Sequence, residues 1–209
     1  WLDVGPFGGG LLAWQIAYPR PFAVELGVAS AESGVSPSLL LSIMREESAF
    51  SPTALSRTGA RGLLQLMPAT ARKMARPLSL PFDDDALQRP EVNTRLGARF
   101  LAQLRQRFPH QPLLAVPSYN AGPLATERWC EERPSLDLDL WVETIPYRET
   151  RLYTKRVLAS LAAYDLLSPG PRGEVFFTPR RACAGTSGEG PDSPSFPEVE
   201  VPEPSASSL

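Results

Sequence analysis

One histidine and two cysteines among 209 residues leave little material for the commonest reactive centres. Any Ser-His-Asp arrangement would have to use His110, which sits in a Phe-Pro-His-Gln-Pro loop where an exposed, non-catalytic place is the simpler reading. Cys130 and Cys183 are too few for a disulfide framework and do not decide the redox compartment. No spacing of His, Cys, Asp and Glu matches a metal site, so neither a metal nor another cofactor is expected. No apolar run reaches the length of a membrane span and no signal peptide is visible, so membrane association is not evident. The chain opens on Trp1, which reads as a fragment whose native N-terminus is missing. With 21 Lys and Arg against 23 Asp and Glu, and no basic stripe with interleaved aromatics, the composition argues against a nucleic-acid binder. Alternating β-branched runs of strand length are also missing, which predicts a nearly all-α core.

What the chain does have is helical periodicity, followed by a change of composition. Short helical patterns at Leu11 to Tyr18 and Phe22 to Ser30 are broken by Pro19 and Pro21 and read as a lead-in packed on the core. Pro68 suits the first turn of a helix to Arg76, and Asp83 to Asp85 begins a short turn. Pro90 opens a longer helix in which Val92, Leu96, Phe100, Leu104 and Phe108 recur every four residues. A helical stretch from Pro112 to Tyr119 should be kinked by Pro117, with Asn120 to Pro123 as a stop and restart before Leu124 to Glu132. A short apolar stretch follows at Leu138 to Val142. From Tyr147 to Leu167, the residues Glu149, Tyr153, Val157, Leu161 and Tyr164 mark one face of a long last helix. Many of the 23 prolines fall after Leu167, in a Pro/Ser/Gly/Glu mixture that cannot bury enough apolar area to offset its ordering entropy. Residues 168–209 therefore read as a disordered tail, with Phe176, Phe177 and Phe196 as its only aromatics.

The stretch from Ser33 to Pro68 carries the most chemistry. Ser36 or Ser38 can cap a helix starting near Pro37, and Leu40, Ile43, Met44 and Glu47 then share one face. A carboxyl on an apolar stripe resists ionisation, so its pKa should rise, and an acid still protonated near neutrality can act as a general acid. The plainer reading of Glu47 is a helix-end carboxylate that reaches water or pairs with Arg45 or Arg61. Glu46 lies about 100° further round, with Ser42 and Leu39, toward a more polar face. The loop from Ser51 to Arg61 has Pro52, Gly59 and, just beyond it, Gly62 for tight turns and close approach.

Four motifs in fixed order carry a family resemblance: Glu47-Ser48, Gly-Ala-Arg-Gly-Leu-Leu-Gln-Leu-Met-Pro at 59–68, Tyr-Asn-Ala-Gly-Pro at 119–123, and Ile-Pro-Tyr-Arg-Glu-Thr-Arg-Leu-Tyr at 145–153. In that order they resemble the catalytic domain of the soluble lytic murein transglycosylases, over about Leu12 to Leu167. The resemblance implies a lysozyme-like helical domain at 31–167, after lead-in helices at 1–30. It implies Glu47 as the single catalytic acid/base. Ser56, Gln65, Met67, Tyr119, Asn120 and Glu149 would be substrate-binding, with Tyr119 orienting the Glu47 carboxyl through its hydroxyl and Glu143 a further neighbour. The plain structural readings are a core aromatic and a helix cap for Tyr119 and Asn120, and a loop hydrogen bond for Gln65. Three departures from the family's usual residues stand out: Glu46 for Gln, Pro117 and Ser118 for small helix formers, and Leu124 for a glycine.

The implied substrate is the glycan strand of peptidoglycan, and the implied place is the periplasm or cell envelope of a bacterium. The expected reaction cuts the β-1,4 bond between N-acetylmuramic acid and N-acetylglucosamine and closes a 1,6-anhydro ring. Two alternatives stand beside it: a muramidase of the goose-lysozyme kind, in which water attacks, and a non-catalytic peptidoglycan-binding module.

Overall fold

The computed structural model describes residues 10–78, 83–168 and 181–183. The Gly-rich opening before Gly10 and the tail aromatics Phe176, Phe177 and Phe196 lie outside these residues. Among the described residues the regular structure is helical, with only isolated bridges between extended residues. No described single helix is long and apolar enough to cross a membrane.

Among the described residues nine α-helices follow in chain order: α1 (Gly10–Ala17), α2 (Ala23–Ser33), α3 (Pro37–Ser48), α4 (Pro68–Ala75), α5 (Pro90–Arg107), α6 (Ala115–Ala121), α7 (Pro123–Glu132), α8 (Leu138–Glu143) and α9 (Arg148–Leu166). Helix α3 starts as expected: the Ser36 side chain accepts a hydrogen bond from the Leu39 N–H, and Pro37 occupies the first turn, where a missing N–H costs nothing. The helix is more deeply buried than a one-sided stripe. Leu39, Leu40, Leu41, Ser42, Ile43 and Met44 are all buried, so the face carrying Leu39 and Ser42 is not the polar one expected. The Ser42 hydroxyl is satisfied by donating to the Ser38 carbonyl at 2.7 Å, which lets a polar residue sit there. A helix buried on every side over its first two turns belongs in the middle, and α3 packs between α2 and α9 with α5 and α6 completing the main core.

The lead-in is held by specific contacts. Arg45 donates to the Ala17 carbonyl at 2.7 Å and lies over the Tyr18 ring, while the Tyr164 hydroxyl donates to the Pro19 carbonyl at 2.9 Å. Tyr18 and Phe22 pack against the main core.

Pro117 stands in the first turn of its α-helix, not in its interior. A short 3-10 turn at Pro112–Leu114 precedes α6, which begins only at Ala115 and puts Pro117 third in the helix. Its absent N–H is one of those a helix start leaves unpaired anyway. Gly122, at φ 82° and ψ 152°, then separates α6 from α7 and supplies the expected stop and restart.

Two smaller cores flank the main one. Leu66, Met74, Leu87 and Leu96 join α4 and the start of α5, and Trp129, Trp141, Ile145 and Phe108 gather around α7 and α8. The second includes a piece of the chain expected to be disordered. Ala182 and Cys183 are buried, the Ala182 N–H donates to the Leu136 carbonyl at 2.9 Å, and Cys183 is disulfide-bonded to Cys130. Residues 181–183 are thus packed on the domain; the remainder of 169–209 lies outside the described residues. A sequence separation of 53 hides such a pairing, because only the folded chain brings the two Cα atoms to 5.3 Å.

Candidate active site

Glu47 is the penultimate residue of α3, at the point where the buried helix meets the loop leading to α4. Its carboxylate oxygen Oε1 accepts a hydrogen bond from the Tyr153 hydroxyl of α9 at 2.8 Å. Burial raises its pKa from 4.5 to about 7; the Tyr153 bond works against that rise, and the charges of Glu46 and Glu149 add to it. Near neutrality the group therefore exists in both protonation states. The shielded acid expected from the helical phase is present, and it pairs with neither Arg45 nor Arg61. Arg45 is turned to the lead-in, and Arg61 lies 3.6 Å from Asp85.

Glu46 takes a different direction. Its carboxylate is ion-paired with the guanidinium of Arg156, three residues beyond Tyr153 on α9. Ser48 turns a third way and donates to the Leu63 carbonyl at 2.8 Å, tying the end of α3 to the loop.

That loop, between α3 and α4, has little regular structure and is instead pinned from several sides. Asn93 of α5, wholly buried, accepts from the Leu64 N–H at 2.8 Å and donates to the carbonyls of Arg61 and Leu87, both at 2.9 Å. Gly62 lies directly against this clamp at φ +77°, where a Cβ would stand 2.1 Å from the Leu87 carbonyl oxygen and 2.3 Å from Asn93 Nδ2. Only glycine fits there.

The expected site residues fall into three groups. Tyr119 lies near Glu47, whose charge adds to the burial that pushes the Tyr119 phenol pKa well up. Its hydroxyl, however, donates to the Leu64 carbonyl at 2.8 Å, so the hydrogen bond expected from Tyr119 to Glu47 is made by Tyr153 instead. The carbonyl of Leu64 belongs to an irregular turn and needs a donor from outside it, which Tyr119 provides. Glu149 is exposed in the first turn of α9, close enough for its charge to act on Glu47.

Gln65, Ser56 and Met67 share the loop. Gln65 has a left-handed backbone at φ 45°, and its Nε2 braces the loop by donating to the carbonyls of Ala54 at 3.1 Å and Gly62 at 2.9 Å. Ser56 accepts from the Ala60 N–H at 2.9 Å, a contact within its own turn. Met67 is half-buried just before α4.

Asn120 and Glu143 make other contacts. Asn120 Oδ1 accepts from the Thr150 hydroxyl at 2.6 Å and so links α6 to α9. Glu143 is exposed and ion-paired with Lys155 at 2.6 Å. Among the described residues no group of three or more His, Cys, Asp or Glu side chains is arranged to hold a metal ion.

Sequence reasoning missed three residues: Tyr153, Asn93 and Arg156. For Tyr153 a signal existed, since a tyrosine on a buried stripe usually needs a partner for its hydroxyl. Asn93 and Arg156 sit at ordinary helical positions, and nothing in their spacing marks them.

The family model described as "Transglycosylase SLT domain" matches residues 26–142. The soluble lytic murein transglycosylase of Salmonella typhimurium is 38% identical over 133 residues, covering 62% of this chain and 21% of its own length. The structure of an inactive mutant of lytic transglycosylase Slt from Pseudomonas aeruginosa superposes with a TM-score of 0.74 at 33% identity, covering 88% of this chain and 30% of that one. A complex of the 70-kDa soluble lytic transglycosylase with bulgecin A has a TM-score of 0.74 at 29% identity, covering 83% of this chain and 29% of that one. The chain thus spans less than a third of the length of these relatives. Its fold is the all-α, lysozyme-like one.

Proposed function

Because the chain belongs to the Transglycosylase SLT domain family, we propose that it is a lytic transglycosylase acting on peptidoglycan, with Glu47 as its single acid and base. The observation that carries this reading is the Glu47 carboxyl itself, held by Tyr153 and with its pKa raised to about 7. A group poised there gives up a proton and takes one back at little cost in either direction. In the first step Glu47 protonates the glycosidic oxygen as the bond from C1 of N-acetylmuramic acid breaks. In the second, the C6 hydroxyl of the same sugar loses its proton to the Glu47 carboxylate, and its oxygen bonds to C1. A 1,6-anhydro ring results, Glu47 is restored, and no water is consumed. The nucleophile is already part of the substrate, so the entropy cost of positioning a separate water is avoided.

Tyr119, Gln65, Ser56, Met67, Asn120 and Glu149 are proposed to line the glycan groove. Tyr119 does so by holding the Leu64 turn, and Gln65 by bracing the loop while its side-chain carbonyl is available to sugar. An envelope location fits the Cys130–Cys183 disulfide, since such bonds persist in oxidising compartments.

One observation favours the hydrolytic alternative. A muramidase with a carboxylate pair needs a second carboxylate roughly 5–9.5 Å from the acid. Glu46 and Glu143 are engaged with Arg156 and Lys155, but the charge of Glu149 reaches Glu47. Mass analysis of fragments released from purified peptidoglycan separates the two. Ends in 1,6-anhydro-N-acetylmuramic acid, each lighter by one water, support the transglycosylase, whereas reducible ends labelled by heavy-oxygen water overturn it. Glu47→Gln is expected to abolish release of either product with the fold intact by circular dichroism, and normal release by that variant would refute Glu47 as the acid.

A further inference from the structure

Two adjacent carboxylates leave the end of α3, and both meet α9: Glu47 at Tyr153 and Glu46 at Arg156. Tyr153 and Arg156 are three residues apart and so lie on one face of that helix. The acid therefore has a like charge as its immediate neighbour, and that neighbour has a cation against it. Glu46 is largely buried at 14% side-chain exposure, so water does little to screen its charge from Glu47.

We propose that Arg156 is a positioning residue for the reaction: by pairing with Glu46 it offsets part of the charge beside Glu47 and keeps Glu47 able to release its proton to the glycosidic oxygen. The inference rests on the reading of Glu47 as the acid. Proton release creates a second carboxylate next to Glu46. Unless the first is neutralised, the pair would repel and Glu47 would be a poorer acid.

The other groups around Glu47 do not supply that neutralisation. From α6 and α9 come the Tyr119 and Tyr153 phenols, whose pKa values are pushed well up so that they remain neutral, and Glu149 adds negative charge. Arg45 of α3 is committed to the lead-in, Arg61 of the loop lies against Asp85, and Lys155 is paired with Glu143. The Glu46–Arg156 pair itself adds little to stability, because Arg156 is 55% exposed. Its value lies in the field it removes from Glu47.

The test follows the Glu47 carboxyl directly, by 13C NMR of protein labelled at the glutamate side-chain carbonyl, alongside the pH dependence of peptidoglycan cleavage. Arg156→Gln is expected to raise the Glu47 midpoint by on the order of one pH unit, and Glu46→Gln to lower it. Arg156→Lys, which keeps the charge, should titrate near the parent, and the double variant Glu46→Gln/Arg156→Gln should resemble Glu46→Gln alone. The alkaline limb of the activity profile should move with each midpoint. An unmoved midpoint in Arg156→Gln, or the same upward shift when Glu46 is already Gln, overturns the proposal. Because the NMR signal needs no turnover, that failure is distinct from failure of the acid assignment, which would show as an active Glu47→Gln variant.

Discussion

Replacing Glu47 with glutamine should stabilise the fold at alkaline pH while it removes activity. In the folded chain the carboxyl has its pKa raised from 4.5 to about 7, chiefly by burial. Below about pH 4.5 folded and unfolded chains both carry the neutral acid, so the amide changes nothing through charge. Between the two values the unfolded chain ionises while the folded chain keeps its proton, and the wild type loses stability steadily with rising pH. Above about pH 7 that loss is complete. A rise from 4.5 to about 7, at 1.36 kcal/mol per unit, amounts to about 3 kcal/mol. For a domain of this size that corresponds to roughly 6–12 °C in melting temperature. The glutamine oxygen can still accept from Tyr153, but its NH2 group needs an acceptor, and any penalty for that is independent of pH. The quantity to read is therefore the slope: thermal or urea unfolding of both proteins by far-UV circular dichroism, from pH 4 to 9. The two stability curves should run parallel at the acid end and separate above it, with the variant gaining on the wild type as pH rises. Parallel curves across the range would refute the claim that the native carboxyl is held protonated by burial.

Three further outcomes are expected. Asn93→Ala strands the Leu64 N–H and the carbonyls of Arg61 and Leu87, and should cost about 3–5 kcal/mol in urea unfolding; a loss below about 1 kcal/mol would mean that the loop is held some other way. Tyr153→Phe removes the hydrogen bond that lowers the Glu47 pKa, so the alkaline limb of the activity profile should move to higher pH as maximal activity falls, and a downward move would contradict that sign. Reducing the Cys130–Cys183 bond opens a loop with a sequence separation of 53, which on a chain-entropy estimate costs about 4 kcal/mol, and should alter the fluorescence of Trp129 and Trp141; an unchanged melting temperature after confirmed reduction would count against a stabilising role.

The parts of this molecule that were legible in its sequence are those governed by local rules. The Ser36-Pro37 start and the apolar run behind it specify α3, and Glu47 stands out because a charge on that stripe breaks the pattern. The burial of Leu39 and Ser42 was not legible, since periodicity identifies a preferred face but not how many neighbours surround the helix. Tyr153 illustrates the same limit: its position predicts burial, yet whether the hydroxyl meets Glu47 depends on how α9 lies against α3. At Pro117 the helix boundary was not legible: the expected helix ran from Pro112, whereas the α-helix begins only at Ala115 and puts the proline in its first turn. In the loop, glycines advertised turns, whereas the left-handed backbones of Ala49, which ends α3, and of Phe50 and Gln65 carry no mark in residue type.

The sulfur bridge also decides where a mechanical load would travel. Tension on the chain beyond residue 183 enters Cys183 and crosses to Cys130 in α7, whose helix is buttressed by Trp129 and Trp141. Everything between the two cysteines is a covalently closed bypass that bears none of that pull. Helix α9 lies inside the bypass, and with it Glu149, Tyr153 and Arg156. Drag on the far end of the polypeptide would therefore enter the domain at α7 instead of pulling directly on the backbone of α9.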